Sequence, residues 1–142
     1  MSKVLKIGKT AIPPIELAKG MNTRYNVCQE TTGTEMLRMG VCHHEPDMAE
    51  MKWQGKAEEA FYVAKGSIRV AWDNGQGDQG EAVVREGEQI FLPRGYQYAL
   101  KSTGEPAINV FAIAGGASSV SAIKGQEAGD MLREAARKLS GA

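Results

Sequence analysis

Short apolar runs separated by glycine constrain this chain more than any other feature. After Pro13 and Pro14, runs rich in Val, Ile, Phe and Tyr alternate with turns that contain glycine. Runs of this kind are typical of the strands of an all-β sandwich or barrel. Nine strands are predicted, over residues 23–30, 35–44, 50–55, 59–64, 67–72, 81–85, 89–92, 97–101 and 107–112.

Helical spacing is found only near the end of the chain. From Asp130 onward, apolar residues recur on one face and basic residues on the other, with Asp130 as the expected N-cap. This pattern predicts one amphipathic helix that packs on the β-structure or on a partner. By contrast, residues 73–80 (DNGQGDQG) have the turn chemistry of a hairpin tip and no following Walker lysine, so a phosphate-binding loop is not favoured.

Length and charge exclude several classes of function. A chain of 142 residues fits one domain, and its 17 basic residues are balanced by 17 acidic residues. We therefore expect no nucleic-acid partner and no attraction to anionic lipid. No stretch is apolar enough for a secretory signal or a membrane span, so the cytoplasm is the expected location. Cys28 and Cys42 are expected to be free thiols there.

Two motifs resemble those of the cupin superfamily. Residues 59–66 (EAFYVAKG) match the end of its first motif, and residues 87–95 (GEQIFLPRG) match the start of its second. The resemblance implies a single-domain, all-β jelly-roll barrel with a C-terminal helix. It divides the chain into N-terminal strands and a dimer arm (1–34), the barrel core (35–115), and a linker with the helix (116–142). Gly66 and Gly95 are predicted to lie at tight reversals between strands.

Most of the metal ligands of the cupin pattern are absent. The two histidines of the first motif would stand at positions 53 and 55, which hold Trp53 and Gly55. The histidine of the second motif is replaced by Tyr98 and its asparagine by Ser102. A three-histidine site for Fe(II), Mn(II) or Ni(II) therefore does not carry over, which weakens the expectation of a dioxygenase.

Two histidine-poor subgroups share these departures. Trp53 stands six residues before Glu59, and in this feature the chain resembles the ethanolamine-utilisation cupins. The combination of Glu59 and Tyr98 is also similar to ectoine synthase, whose iron is held by the matching glutamate and tyrosine and by a later histidine. At the position of that histidine the chain has Pro106, so identity with ectoine synthase is not expected.

The candidate catalytic residues are Glu59, Tyr98 and His43. A carboxylate at the start of a core strand needs a partner, a metal or a proton, which makes Glu59 the first candidate. Tyr98 can act as a general acid, as a phenolate ligand or only as a core residue. His43 shares strand parity with Leu37, Met39 and Val41, which predicts that His43 rather than His44 faces the barrel, unless a bulge exchanges them.

Three aromatic residues complete the predicted site, and a metal remains an open alternative. Trp53, Phe61 and Tyr96 are expected to bind the ligand as apolar or cation–π surfaces. If a divalent metal (Fe, Zn or Mn) is bound, the same Glu59, Tyr98 and His43 are its expected ligands. A less favoured alternative is a Cu(I) site built from the soft ligands of the neighbouring segment, namely Cys42, His43, His44, Met48 and Met51.

These residues favour a small organic ligand and proton-transfer chemistry. A glutamate and a tyrosine suit a lyase, dehydratase, cyclase or isomerase better than an oxygenase. The alternative is a metal-free accessory or sensor cupin that binds a ligand without catalysis. Exposed sheet edges and an apolar sheet face predict a homodimer, which the resemblance to cupins also implies, with the residues before Gly33 as the expected crossing segment.

Overall fold

Ten β-strands form two antiparallel sheets in this computed structural model, which describes residues 3–116 and 118–140. Residues 1–2 of the predicted N-terminal segment, and residues 117 and 141–142 of the predicted C-terminal segment, lie outside the described part. The strands are β1 (Ile15–Ala18), β2 (Met21–Val27), β3 (Leu37–His44), β4 (Met51–Gln54), β5 (Glu58–Lys65), β6 (Ser67–Asp73), β7 (Gln79–Arg85), β8 (Gln89–Leu92), β9 (Gln97–Ser102) and β10 (Ala107–Ala114). The helices are α1 (Gln29–Thr32), α2 (Ser121–Lys124) and α3 (Gln126–Ser140).

The two sheets enclose one core. The larger has the order β1-β2-β3-β10-β5-β8, and the smaller has the order β4-β9-β6-β7. Buried residues of both sheets form one cluster, in which Phe61 and Val63 of the larger sheet pack with Val70 and Leu100 of the smaller. The predicted all-β jelly-roll barrel with a C-terminal helix is therefore confirmed.

A second hydrophobic cluster attaches the C-terminal helix to the barrel. It contains Ile12 before β1, Tyr25 of β2, Cys28, Val120 and Leu132 of α3, all of which are buried. The N-terminal segment thus contributes Ile12 to the same cluster as the C-terminal helix. Leu132 is fully buried, which is why the amphipathic pattern of this helix was visible in the sequence.

The elements around this second cluster differ from the sequence prediction. Helix α3 begins at Gln126, so Asp130 is a residue of its second turn and not its N-cap. The sequence does not indicate this first turn, because the turn contains Gly129 and glycine is a poor helix former. The glycine is needed there because a Cβ at position 129 would lie 1.8 Å from Ser121 Oγ. The strand predicted over residues 23–30 ends at Val27, and α1 follows.

Both cysteines are free thiols, as the sequence predicted, and the structure shows that both are buried. Thr23 Oγ1 and Cys42 Sγ share a hydrogen bond of 2.6 Å, and burial raises the pKa of the Cys42 thiol to about 12. Cys42 is therefore a protonated core residue. In the described part of the chain, no helix has the length and apolar character needed to cross a membrane.

Candidate functional site

Four strands bring their inward-facing residues into one row at one end of the barrel. Arg38 of β3 pairs with Ile113 of β10, Ile113 pairs with Glu59 of β5, and Glu59 pairs with Leu92 of β8. Glu59 has the same strand parity as Phe61 and Val63, both of which are buried, so it points inward. We call this end, lined by Arg38, Glu59, Tyr25, Trp53 and Tyr98, the barrel mouth.

Glu59 is the half-buried carboxyl group of the barrel mouth. Its Oε1 accepts a hydrogen bond of 3.1 Å from Trp53 Nε1. Burial raises the pKa of this carboxyl group, and the Trp53 hydrogen bond and the positive charge of Arg38 offset only part of that rise. A carboxyl group with a raised pKa exchanges a proton more readily near neutral pH than an exposed glutamate does.

An aromatic wall on the smaller sheet faces Glu59. Trp53 of β4 pairs with Tyr98 of β9, and their ring centroids lie 5.2 Å apart. Tyr96 stacks on the other side of Tyr98 at 5.7 Å, while its hydroxyl donates a hydrogen bond of 2.5 Å to Asp78 Oδ2. Phe61, also predicted to bind the ligand, is a buried residue of the core below.

The hydroxyl group of Tyr98 is engaged within the protein. It donates a hydrogen bond to the backbone carbonyl of Pro93. Burial, with the nearby Glu59 and Tyr96, raises the pKa of Tyr98 to about 12. The phenol is therefore held in its protonated form, which favours a role in packing and positioning over that of a phenolate ligand.

The prediction that His43 faces the barrel is wrong. His43 is exposed, whereas His44 is buried together with Gly40 and Cys42, which have the same strand parity. The apolar residues Met39 and Val41, which suggested the opposite orientation, lie on the outer face of the sheet. Apolar parity misled because this strand has nonpolar residues on both faces.

Both histidines also lie at the wrong end of the barrel for the predicted site. Strand β3 pairs His43 with Ile108 at the end of the sheet where Lys65 lies, whereas Glu59 pairs with Ile113 at the opposite end. His43 therefore cannot act with Glu59 and Tyr98, and the ligand set of these three residues is wrong. Among the described residues, no three His, Cys, Asp or Glu side chains lie close enough together to bind one metal ion.

The former ligand positions of the cupin pattern have become packing positions. Trp53 donates to Glu59, and a Cβ on Gly55 would lie 2.6 Å from the ring of Tyr98. The aromatic rings thus occupy the space that a histidine at position 55 would need. The residues present do not fit the three-histidine metal site of that pattern.

His44 is a core residue with satisfied hydrogen bonds. Its Nε2 lies 2.6 Å from Asn109 Nδ2, which has only hydrogens to donate, so Nε2 is the acceptor and Nδ1 carries the proton. Nδ1 then donates to Met48 Sδ at 3.1 Å. Burial, with the neighbouring His43, lowers the pKa of His44 to about 4, so it is neutral. Of the five soft residues considered as copper ligands, only His44 and Met48 form a hydrogen bond with each other.

Sequence reasoning missed two residues of the barrel mouth, Arg38 and Tyr25. Arg38 has the inward parity of Gly40 and Cys42, and Tyr25 is only 4% exposed. The available signal in the sequence is a charged residue, Arg38, on the same face of β3 as the small residues Gly40 and Cys42. The more apolar residues on the other face of β3 outweigh this signal, because they favour that face as the barrel interior.

Two open surface grooves lie away from the barrel mouth. One, of about 630 Å³, runs between α1 and α3 and is lined by Glu30, Ser121, Asp130 and Arg133 among others. The other, of about 440 Å³, lies at the turn between β5 and β6. We place the candidate site at the barrel mouth because the half-buried Glu59 and its aromatic wall are there, whereas the Glu30 carboxylate is already hydrogen-bonded.

Comparison with known proteins gives one family and one group of solved structures. A sequence model described as Cupin matches residues 36–129. A mutant of Bacillus subtilis oxalate decarboxylase superposes with a TM-score of 0.72 at 21% identity, covering 86% of this chain and 32% of that chain. A formate complex of Lactobacillus farciminis oxalate decarboxylase superposes with a TM-score of 0.65 at 16% identity, covering 76% and 32%. The chain thus spans about a third of these structures, and such identities establish a shared fold alone. No curated protein sequence gives a significant match.

Proposed function

The chain belongs to the cupin family, and from that premise we propose that its barrel mouth binds a small organic molecule and transfers a proton to or from it. The observation that carries the proposal is Glu59, a half-buried carboxyl group with a raised pKa and a single hydrogen bond, from Trp53. Burying such a group without full compensation is costly, and it is retained most often where it performs chemistry.

Glu59 is the proposed general acid or base. Its second carboxyl oxygen makes no hydrogen bond with the described residues, so it can accept one from a ligand. Trp53 fixes the carboxyl group by its hydrogen bond and, with Tyr98 and Tyr96, offers an apolar surface against which a small molecule can pack. Elimination, dehydration, cyclisation and isomerisation all need a proton transfer of this kind.

A ligand-binding protein without catalysis is the second candidate function. Tyr98, the expected partner in acid–base chemistry, directs its hydroxyl to the Pro93 carbonyl and has its pKa raised to about 12. Glu59 would then act alone, which suffices for binding and for simple proton transfer but not for concerted acid and base steps. Turnover of a bound molecule separates the two candidates.

Glu59→Gln is expected to weaken binding or turnover of the molecule that the protein retains by at least about tenfold, which is roughly 1.4 kcal/mol. Native mass spectrometry of untagged protein identifies that molecule and measures its retention. Glu58→Gln, at the exposed neighbouring position, is the matched control and is expected to change nothing. If Glu59→Gln and Tyr98→Phe both retain the molecule as well as the control and the unmodified protein do, the barrel mouth is not the site.

The same substitution has a pH signature. Because the pKa of Glu59 is raised in the folded state, its contribution to stability is present below the ordinary carboxyl pKa and is lost as pH rises through the raised value. Glu59→Gln should therefore preserve or increase the free energy of unfolding at neutral pH and lose this advantage in acid. Denaturant titrations at about pH 4 and about pH 7 measure the difference.

We also propose that the cupin acts as a homodimer, through the outer face of its larger sheet. Met39, Ala112, Ala60 and Phe91 pair in one row across β3, β10, β5 and β8. Met39 and Phe91 are 40% and 59% exposed, and Tyr62 beside them is 42% exposed. A contiguous apolar face of this kind is unfavourable in water, and a second copy related by a two-fold axis presents the same apolar surface to cover it.

Met39→Glu combined with Phe91→Glu is expected to convert a dimer into a monomer, because four carboxylates would be buried without partners in the dimer. Sedimentation velocity at micromolar concentration measures the change. Ile123→Glu, at an exposed apolar residue of α2, is the control and should leave the dimer intact. A monomeric unmodified protein would refute the proposal.

A further inference from the structure

Arg38 has an unsatisfied guanidinium group at the barrel mouth. Its side chain is half-buried, and its Nε is buried without a hydrogen-bond partner. Within the described residues Arg38 forms neither a hydrogen bond nor an ion pair. This Nε–H is one of the five N–H donors of a guanidinium group, and leaving it buried without a partner is costly. A hydrogen-bond acceptor supplied by a bound molecule would remove that cost.

The Glu59 carboxyl group is near Arg38 without pairing to it. Ile113 lies between them in the sheet, so their backbones are separated by two strand spacings, about 10 Å. The positive charge of Arg38 nevertheless lowers the pKa of Glu59, against the larger effect of burial. The two side chains therefore lie within electrostatic reach of each other without forming an ion pair.

The hydroxyl group of Tyr25 is a second donor close to Arg38 and Glu59, since the charges of both residues affect its pKa. Its ring packs edge-on against Phe111 at 5.6 Å, and burial raises the pKa of the phenol to about 12 against the opposing charge of Arg38. The phenol is therefore protonated and able to donate, yet its hydroxyl makes no hydrogen bond with the described residues. Tyr25 and Arg38 thus both offer hydrogen atoms, and Glu59 offers an acceptor.

We propose that the molecule bound at the barrel mouth is a small hydroxy- or amino-acid, whose carboxylate is bound by Arg38 and Tyr25 and whose hydroxyl or amino group donates to Glu59. This inference rests on the proposed function and names its ligand class. A carboxylate matches the fork of guanidinium donors, and hydrogen bonds between charged groups are the strong ones. A ligand with donors at both ends would leave Arg38 unpaired.

An internal partner for Arg38 is the competing explanation. Asn26 Oδ1 is buried and also lacks a hydrogen bond. If a side-chain rotation pairs Asn26 with Arg38, the guanidinium group is structural. Asn26→Ala would then destabilise the protein about as much as Arg38→Met does, and neither change would alter a preference for carboxylates.

The test compares carboxylates with their uncharged amides. The probes are lactate and 3-hydroxybutyrate, each set against its amide, so that charge changes while size and hydroxyl group are kept. Fluorescence of Trp53 reports binding, in a Trp72→Phe background that removes the other tryptophan. The full-length protein is used, and thermal unfolding checks that each variant is folded. If Arg38→Met does not fold, Arg38→Gln is the second variant, because it also removes the charge and is expected to abolish the same preference.

At least one carboxylate is expected to bind about tenfold or more tightly than its amide, and Arg38→Met should abolish that preference. Tyr25→Phe should weaken carboxylate binding severalfold without affecting the amide. Equal binding of acid and amide, an unchanged preference in Arg38→Met, or no binding of either carboxylate would overturn the ligand class. The proposed function fails separately, if Glu59→Gln leaves retention of the native molecule unchanged.

Discussion

Gly66→Ala is expected to destabilise the protein by about 3 kcal/mol or more, the largest effect of any single methyl group added at a turn. Gly66 joins β5 to β6 with φ of 73°, and a Cβ there would lie 2.1 Å from the carbonyl oxygen of Pro106. The left-handed backbone alone costs a residue with a Cβ about 1–2 kcal/mol. The clash with backbone adds to this because the neighbouring start of β10 cannot move aside without disturbing its pairing.

Gly95→Ala is the matched control for this prediction. Gly95 has φ of 90°, but no atom lies within 4 Å of the position of its Cβ. Gly95→Ala should therefore lower the free energy of unfolding only by the cost of the left-handed backbone, about 1–2 kcal/mol. Urea denaturation of both variants measures the difference, which we expect to be about 2 kcal/mol. Similar losses in the two variants would show that the Pro106 segment moves freely.

Glu30→Ala is expected to destabilise the protein by about 2–4 kcal/mol, because it removes the acceptor that holds the C-terminal helices in place. Glu30 Oε1 accepts from the backbone N–H of Val120 at 2.7 Å. Its Oε2 accepts from Ser119 Oγ at 2.9 Å and from the N–H and Oγ of Ser121 at 3.3 and 3.2 Å. Without the carboxylate, the buried N–H of Val120 has no partner in the second cluster.

The effect should depend on pH in a direction that the hydrogen bonds determine. Burial opposes the charged form of Glu30, but the hydrogen bonds outweigh it and lower the pKa of this carboxyl group. The contribution to stability is therefore present above the ordinary carboxyl pKa and is lost as pH falls through the lowered value. Glu30→Gln should lack this acid sensitivity.

Hydrogen exchange provides the local measurement for Glu30→Ala. Amides of α3 should exchange faster in the variant, while amides of β5 and β10 should change less. Glu127→Ala, at an exposed position of the same helix, is the control. Unchanged protection of α3 in Glu30→Ala would mean that Leu132 and its apolar neighbours hold the helix without the carboxylate.

Glu59 and His43 show how far local pattern can locate a site. Glu59 was predicted to point inward because it opens a strand of core residues, and the structure places it beside Trp53 as expected. For His43 the prediction used another rule, strand parity with apolar residues, and this rule gave the wrong face. The rule assumes that the more apolar face of a strand is the inner one, which holds for β5 and fails for β3, whose outer face is apolar as well.

The inner face of β3 includes a close backbone contact that the sequence does not reveal. A Cβ on Gly40 would lie 1.8 Å from the carbonyl oxygen of Arg24, where the register between β2 and β3 shifts. Only glycine permits this approach, so the packing of β2 on β3 requires a glycine at position 40, on the same inner face as Arg38. The pairing partner that imposes the contact is 16 residues away in sequence, so no local pattern reports it.

The strand pattern, the turns at Gly66 and Gly95, the cupin motifs and the loss of their metal ligands could all be predicted from the residues alone. Each of these features depends only on residue type and short spacing. The tertiary structure alone decided which histidine is buried, that both lie far from Glu59, and that Arg38 and Tyr25 complete the barrel mouth. These depend on the register between strands distant in the chain. A shift of one residue in that register reverses every side chain, so pairing and not composition selects the residues of the site.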